Sequence, residues 1–299
     1  PAIDSAETAP HISKLQRGEI EFRDVWFAYL TNDGKTELTE ADQSWDWVLR
    51  GVSFKAKAGE RVAVVGHTGA GKTTLIGLLM RFYEPQRGEI LIDGVPIREI
   101  PVRALRARIS LVLQDIFIFS RSVDYNIRLG HPEISDEAVR AAAERVGAHK
   151  FIDALPQKYG TPLGERGLTL SVGERQLLSF ARALAFNPLI LILDEATSSV
   201  DSALEARIEA ALEELMRGRT SLVIAHRLST IQHADKILVM HHGQVLESGT
   251  HAELISTGGM YSRLYELQFA PAGRVAGEPG VSRDLELGGH TRRKAPVER

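Results

Sequence analysis

Five short runs of β-branched and aliphatic residues set the terms for folding: RVAVV (61–65), ISLVL (109–113), LILIL (189–193), TSLVIA (220–225) and KILVM (236–240). They alternate with stretches patterned as helices near 71–82, 136–147, 172–186 and 202–216. Strands alternating with helices predict an α/β fold with a mainly parallel sheet covered by helices. Ahead of them, GEIEFRDVWFAY (18–29) alternates apolar and polar residues at a period of two, as a half-buried strand does, and a second strand pair is expected in 47–66. LTNDGKTELTEADQSWD (30–46) is rich in acids and turn formers and reads as a surface loop. Residues 1–16 read as a linker, the ordered domain as 17–270 and the apolar-poor remainder, 271–299, as a disordered tail.

Composition narrows the function classes. With 43% hydrophobic residues in 299, the chain has ample material for a core, as one large domain or two smaller ones. A formal net charge of -3 does not mark a nucleic-acid binder, so no nucleic-acid partner is expected. The absence of Cys excludes disulfides and thiolate metal sites. The longest apolar runs, such as PLILIL (188–193), fall far short of the roughly 20 residues that cross a bilayer. No signal-peptide pattern is visible, and a chain that opens on Pro1 points to a cut made by cloning or processing.

VAVVGHTGAGKTT (62–74) joins the first of the five runs to a helix through Gly66, four intervening residues, then Gly71, Lys72 and Thr73: the P-loop pattern in its proper context. Glycines let backbone N–H groups converge on phosphate oxygens, the helix N-terminus contributes its positive end, Lys72 neutralises charge and the Thr73 hydroxyl can ligate Mg²⁺. The cradle therefore comprises Gly66, His67, Thr68, Gly69, Ala70, Gly71, Lys72, Thr73 and Thr74. A partner acid belongs at the end of another buried strand, and LILILDEAT supplies Asp194, expected to hold Mg²⁺ through water, with Glu195 next to it to polarise an attacking water. The plainer reading of Glu195 is an acid favoured by a helix macrodipole.

TLSVGERQLL (169–178) has no base, metal cluster or activated nucleophile, only a Ser, a Gly and helix formers. Ser171 with Glu174 three residues on is a capping box. Yet GHTGAGKTT, LSVGERQ, LILILDEATSSVD and IAHRLST occur in this order, and over about 18–269 the chain resembles the nucleotide-binding domain of an ATP-binding cassette (ABC) transporter. The resemblance implies a P-loop NTPase fold with a RecA-like core, an antiparallel β subdomain and an α-helical subdomain at about 115–186. It implies a head-to-tail pair of cassettes, in which Ser171 and the backbone of Gly173 contact the γ-phosphate held by the other copy's P-loop. Two positions depart from the commonest signature, LSGGQ: Val172 stands for Gly and Glu174 for Gln. An added negative charge near a triphosphate weakens binding unless it faces away or pairs with a cation such as Arg175, and the expectation is that Glu174 faces away.

Other roles follow from the same resemblance. Gln114 matches the Q-loop glutamine that contacts Mg²⁺ or water, His226 the switch histidine on the γ-phosphate, and Asp201 the D-loop aspartate. Tyr29 matches the aromatic that stacks on adenine, with Trp47 as the other candidate and core packing as the plain alternative for both. GERG (164–167) resembles the X-loop of exporters, which implies a six-helix membrane domain ahead of the cassette and a place at the cytoplasmic face of the cell (inner) membrane. His241 and His242, in MHHGQV, read as turn residues. Rival readings are a non-transport cassette ATPase, disfavoured by the lack of heptads and of a second P-loop, and a weakly hydrolysing regulatory half of a heterodimer.

Overall fold

The computed structural model describes residues 12–29, 45–164, 167, 169–194, 202–225 and 227–269. In chain order the strands are β1 (Ile20–Phe27), β2 (Leu49–Ala56), β3 (Arg61–Val65), β4 (Arg87–Ile92), β5 (Val95–Pro96), β6 (Ile109–Val112), β7 (Ile190–Asp194), β8 (Thr220–Ile224), β9 (Lys236–His241) and β10 (Gln244–Gly249). The helices are α1 (Lys72–Leu79), α2 (Val102–Arg106), α3 (Val123–Arg128), α4 (Asp136–Arg145), α5 (His149–Asp153), α6 (Val172–Ala185), α7 (Ser202–Met216), α8 (Leu228–Gln232), α9 (His251–Thr257) and α10 (Met260–Phe269).

The five apolar runs become neighbours in one six-stranded sheet, ordered β10-β9-β3-β8-β7-β6 and parallel from β9 to β6, with β10 antiparallel on its edge. Successive side chains of a strand point to opposite faces. Val62, Val64, Ile190, Ile192, Leu222, Ile224, Leu238 and Met240 accordingly enter one core, shared with α1 and with a second sheet, β2-β1-β4-β5. Ala63, Val65, Leu191, Leu193, Val223, Ile237 and Val239 enter the other, beneath α6, α7, α9 and α10. At roughly 1.5–3 kcal/mol per fully buried aliphatic side chain, these two interleaved sets are enough to fix the sheet's register.

The antiparallel sheet is pinned by Phe22 stacked on Phe54 at 4.6 Å. Within the segment read as a linker, Leu15 is 2% exposed and joins this core. The carboxylate of Asp93, in the β4–β5 turn, accepts backbone N–H groups from Gln16, Arg17, Gly18 and Glu19 at 2.8 to 3.1 Å. The helical layer rests on α6, which packs against α3, α4, α7 and β6. At the far end, Glu247 of β10 accepts the first two N–H groups of α10, that of Tyr261 at 3.0 Å, and the Tyr261 hydroxyl lies 2.6 Å from His251 Nδ1 on α9.

Candidate functional site

The P-loop leaves β3 at Val65 and reaches α1 through three glycines with positive φ. Two are sterically compelled as well. A Cβ on Gly66 would sit 2.2 Å from the Met240 carbonyl oxygen, and one on Gly71, the N-cap of α1, 2.6 Å from Leu49 Cδ2. Gly69, with φ 81° and nothing within 4 Å of its Cβ position, is set by backbone conformation alone. The loop closes on itself through Ala70 N–H to the His67 carbonyl at 3.1 Å, and is tied to the β9–β10 turn by Gly243 N–H to the Ala70 carbonyl at 3.2 Å. His67, Thr68 and Gly69 stay exposed at its crest while Ala70 is buried.

Lys72 is buried at the first position of α1 and its Nζ donates to the carbonyls of Gly66 at 2.7 Å and His67 at 2.9 Å. The loop thus wraps an ammonium. Burial lowers the Lys72 pKa, and the negative charge of Asp194 works in the opposite direction. With no acidic residue in the first turn of α1, nothing there competes with an incoming anion for the free N–H groups and the positive end of the helix.

Register aligns the strand ends next to the loop. Leu193 pairs with Val112, Asp194 with Ile224, and Ile224 with Val64, so the strand ends of β6, β7, β8 and β3 lie side by side. Asp194, partly buried, closes β7, and exposed Gln114 lies two residues beyond β6. Thr73, exposed at the second position of α1, adds a hydroxyl. Thr73, Gln114 and Asp194 each offer side-chain oxygen, the donor type that a hard divalent cation such as Mg²⁺ takes.

Tyr29 follows β1 and meets α1: its hydroxyl lies 3.1 Å from Thr74 Oγ1. Phe27 and Tyr83 contact its ring edge-on at 4.9 and 5.2 Å, and 47% of the residue stays exposed. Trp47 is occupied elsewhere, edge-on to Trp26 at 5.5 Å, stacked on Trp45 at 5.6 Å and under the Arg87 guanidinium at 5.6 Å. Tyr83 joins this cluster from just past the C-terminal end of α1, the helix that opens at the P-loop, a position whose only sequence signal is an aromatic residue.

Ser171 is the N-cap of α6 and forms the capping box, its Oγ accepting the Glu174 N–H at 3.3 Å while the Glu174 carboxylate accepts the Ser171 N–H at 2.8 Å. Glu174 is therefore folded back onto its own helix end. Arg175 does not neutralise it in the way considered from sequence: its Nη1 donates to the Leu170 carbonyl at 2.6 Å. Gly173 is compelled by packing, since a Cβ there would lie 2.3 Å from Leu204 Cδ1 of α7. Val172 is 46% exposed. No hydrogen bond among the described residues joins Ser171 or Gly173 to the P-loop of the same chain. Glu195, Asp201, His226, and Glu165 and Arg166 of GERG lie outside the described residues.

A cleft of about 250 Å³ opens between the segment after β6 and the helix α6, lined by Arg106, Asp115, Phe117, Leu129, Arg182 and Phe186 among others. Arg182 donates to the carbonyls of Asn126 and Phe117 at 2.8 and 3.0 Å, and burial pushes its pKa down to about 10. Phe82, Tyr83, Leu113, Phe117 and Phe119 are all exposed apolar or aromatic side chains.

Comparison with known proteins agrees with this geometry. The sequence model of the family described as ABC transporter matches residues 49–198. The chain is 47% identical over 272 residues to the uncharacterized ABC transporter ATP-binding protein YknV of Bacillus subtilis, covering 91% of this chain and 43% of that protein. It is 50% identical over 254 residues to the ATP-dependent lipid A-core flippase of Alkalilimnicola ehrlichii (85% and 41%). It is 48% identical over 269 residues to the beta-(1→2)glucan export ATP-binding/permease protein NdvA of Rhodopseudomonas palustris (90% and 42%). Among solved structures, a bacterial Atm1-family ABC exporter with ATP bound superposes with a TM-score of 0.74 at 39% identity, over 90% of this chain and 44% of that one. The chain spans less than half the length of these relatives.

Proposed function

This chain belongs to the ABC transporter family, and from that premise we propose that it binds and hydrolyses ATP as the nucleotide-binding domain of an exporter, pairing with a second cassette to drive a membrane domain. The observation that carries this reading is the ammonium of Lys72, wrapped by two P-loop carbonyls within reach of the charge of Asp194. The triphosphate enters the exposed loop crest and takes up the N–H groups at the start of α1, while Lys72 offsets its negative charge. Tyr29 supports the adenine, a role favoured by its place beside Thr74 and by the engagement of Trp47 elsewhere.

Thr73, Gln114 and Asp194, the last through water, are the residues that would hold Mg²⁺, which when bound supplies charge neutralisation at the β- and γ-phosphates. Glu195 takes the proton of a water whose oxygen attacks the γ-phosphorus, the bond to the β–γ bridging oxygen breaks, and ADP and phosphate leave. His226 holds the γ-phosphate and Asp201 links the two sites. The second copy adds Ser171 and Gly173 at the start of α6, where the capping box keeps the Glu174 charge on its own backbone.

The membrane domain is proposed from relatives named as ATP-binding/permease proteins. No helix among the described residues is long and apolar enough to cross a bilayer. The cleft beside β6, with exposed Leu113 and Phe117 on its lining, supports docking of that domain next to Gln114, in keeping with a cassette that works at the cytoplasmic face of the membrane. The test is Glu195→Gln: this variant should bind ATP and accumulate dimer by size-exclusion chromatography while turning over at least about a hundredfold more slowly. Near-normal turnover removes Glu195 from the chemistry.

A further inference from the structure

We infer that the Tyr29 hydroxyl is a positioning group for the phosphate cradle, acting through the Thr74 hydroxyl, so that base platform and cradle form one unit. The inference rests on the ATP site proposed above and assigns a further role within it.

Thr74 is the third residue of α1, 5% exposed, and its hydroxyl meets that of Tyr29 at 3.1 Å. A hydroxyl has one proton to give and two lone pairs to accept with. If Thr74 gave its proton to Tyr29, it would turn only lone pairs toward an anion at the helix N-terminus. If Tyr29 gives its proton to Thr74, the Thr74 proton is left for a phosphate oxygen, and the two hydrogen bonds polarise one another in the same direction. An arriving polyphosphate selects the second arrangement.

The ring is held where this can happen. Phe27 and Tyr83, themselves 5.6 Å apart, contact it edge-on. Tyr83 lies over Gly77 of α1, where an added Cβ would come within 3.3 Å of its ring. Thr74 and Gly77 stand three residues apart, on one face of the helix. One helical face thus carries the hydroxyl that Tyr29 reaches and the bare backbone on which its neighbour rests. Tyr29 also lies within two residues of β1, whereas Thr74 belongs to the P-loop helix, so the contact ties the antiparallel sheet to the cradle.

The two roles of Tyr29 separate with a ligand that has no base. Binding of Mg-ATP and of magnesium tripolyphosphate to the 299-residue chain would be measured by titration calorimetry for wild type, Tyr29→Phe, Tyr29→Ala, Thr74→Ser and Thr74→Val. Tyr29→Phe, which keeps the ring, should weaken tripolyphosphate as well as ATP by about three- to tenfold, the range of one hydrogen bond. Thr74→Ser should stay close to wild type, and adding Tyr29→Phe to Thr74→Val should cost nothing further. Unchanged tripolyphosphate affinity in Tyr29→Phe, or an equal loss in the Thr74→Val background, overturns the inference. The gap between Tyr29→Ala and Tyr29→Phe, seen with ATP alone, reports adenine stacking; if that gap is missing, the stacking role falls while the hydroxyl's role stands. Failure of wild type to bind either ligand overturns the site and the inference together.

Discussion

Glycine identity in the loop has two separable causes, and substitution tells them apart. At Gly66 an added methyl meets a main-chain oxygen that cannot move without displacing β9, whereas at Gly69 it meets open space and only the left-handed backbone is penalised. We expect Gly69→Ala to lower unfolding free energy by about 1–2 kcal/mol and Gly66→Ala to cost at least about 3 kcal/mol or prevent folding, both read by urea denaturation. Equal effects would mean that the loop relaxes away from β9. Glu174 invites a charge test of similar precision. Gln can serve in a capping box as well as Glu, and the carboxylate is bound to its own helix end. Glu174→Gln should therefore change ATP turnover by less than about tenfold; a larger rise would place the Glu174 charge against the nucleotide.

At the scale of elements, what could be read from sequence follows burial. The runs at 61–65, 109–113, 189–193, 220–225 and 236–240 emerged as β3, β6, β7, β8 and β9 because both of their faces are covered and their composition is nearly pure. β10 is weakly signalled: QVLESG alternates between exposed and half-buried residues on a sheet edge, which leaves little apolar signal. β4 gives little strand signal because its first half, Arg87–Glu89, is polar. The cradle was legible since its spacing is a local rule, but the reach of Tyr29 to Thr74, 45 residues away, depends on tertiary placement. The same holds for α9 and α10, joined by Tyr261, whose phenol is raised to about 12 by burial, with Tyr265 adding to the effect. A raised acid pKa contributes stability that is intact below the unfolded value, near 10, and is lost as pH climbs toward the folded one. Thermal melts should thus fall between about pH 10 and 12, and Tyr261→Phe should flatten that limb; an unchanged alkaline slope would assign it to other groups.

Considered as a whole molecule, the chain carries the two half-sites that the proposed function assigns to different partners. The P-loop edge carries Lys72, Thr73, Asp194 and Gln114, while Ser171 and Gly173 start a helix that packs on α3, α4, α7 and β6. If turnover requires one of each from different copies, Lys72→Ala and Ser171→Arg chains should each be inactive alone, yet mixing them should restore phosphate release through heterodimers with one intact composite site. A mixture as silent as its components would argue for a site completed within one chain. Glu195 and His226 rest on motif order alone, since both lie outside the described residues.

The carboxylate of Asp93 grips four successive main-chain amides immediately ahead of β1. A tug arriving along the chain from its N-terminal side would be stopped at that knot and spread into the hairpin of β4 and β5, instead of unzipping β1 from its outer end. The rim of aromatic rings at the opposite end of β1 would keep its alignment while the rest of the molecule is hauled about.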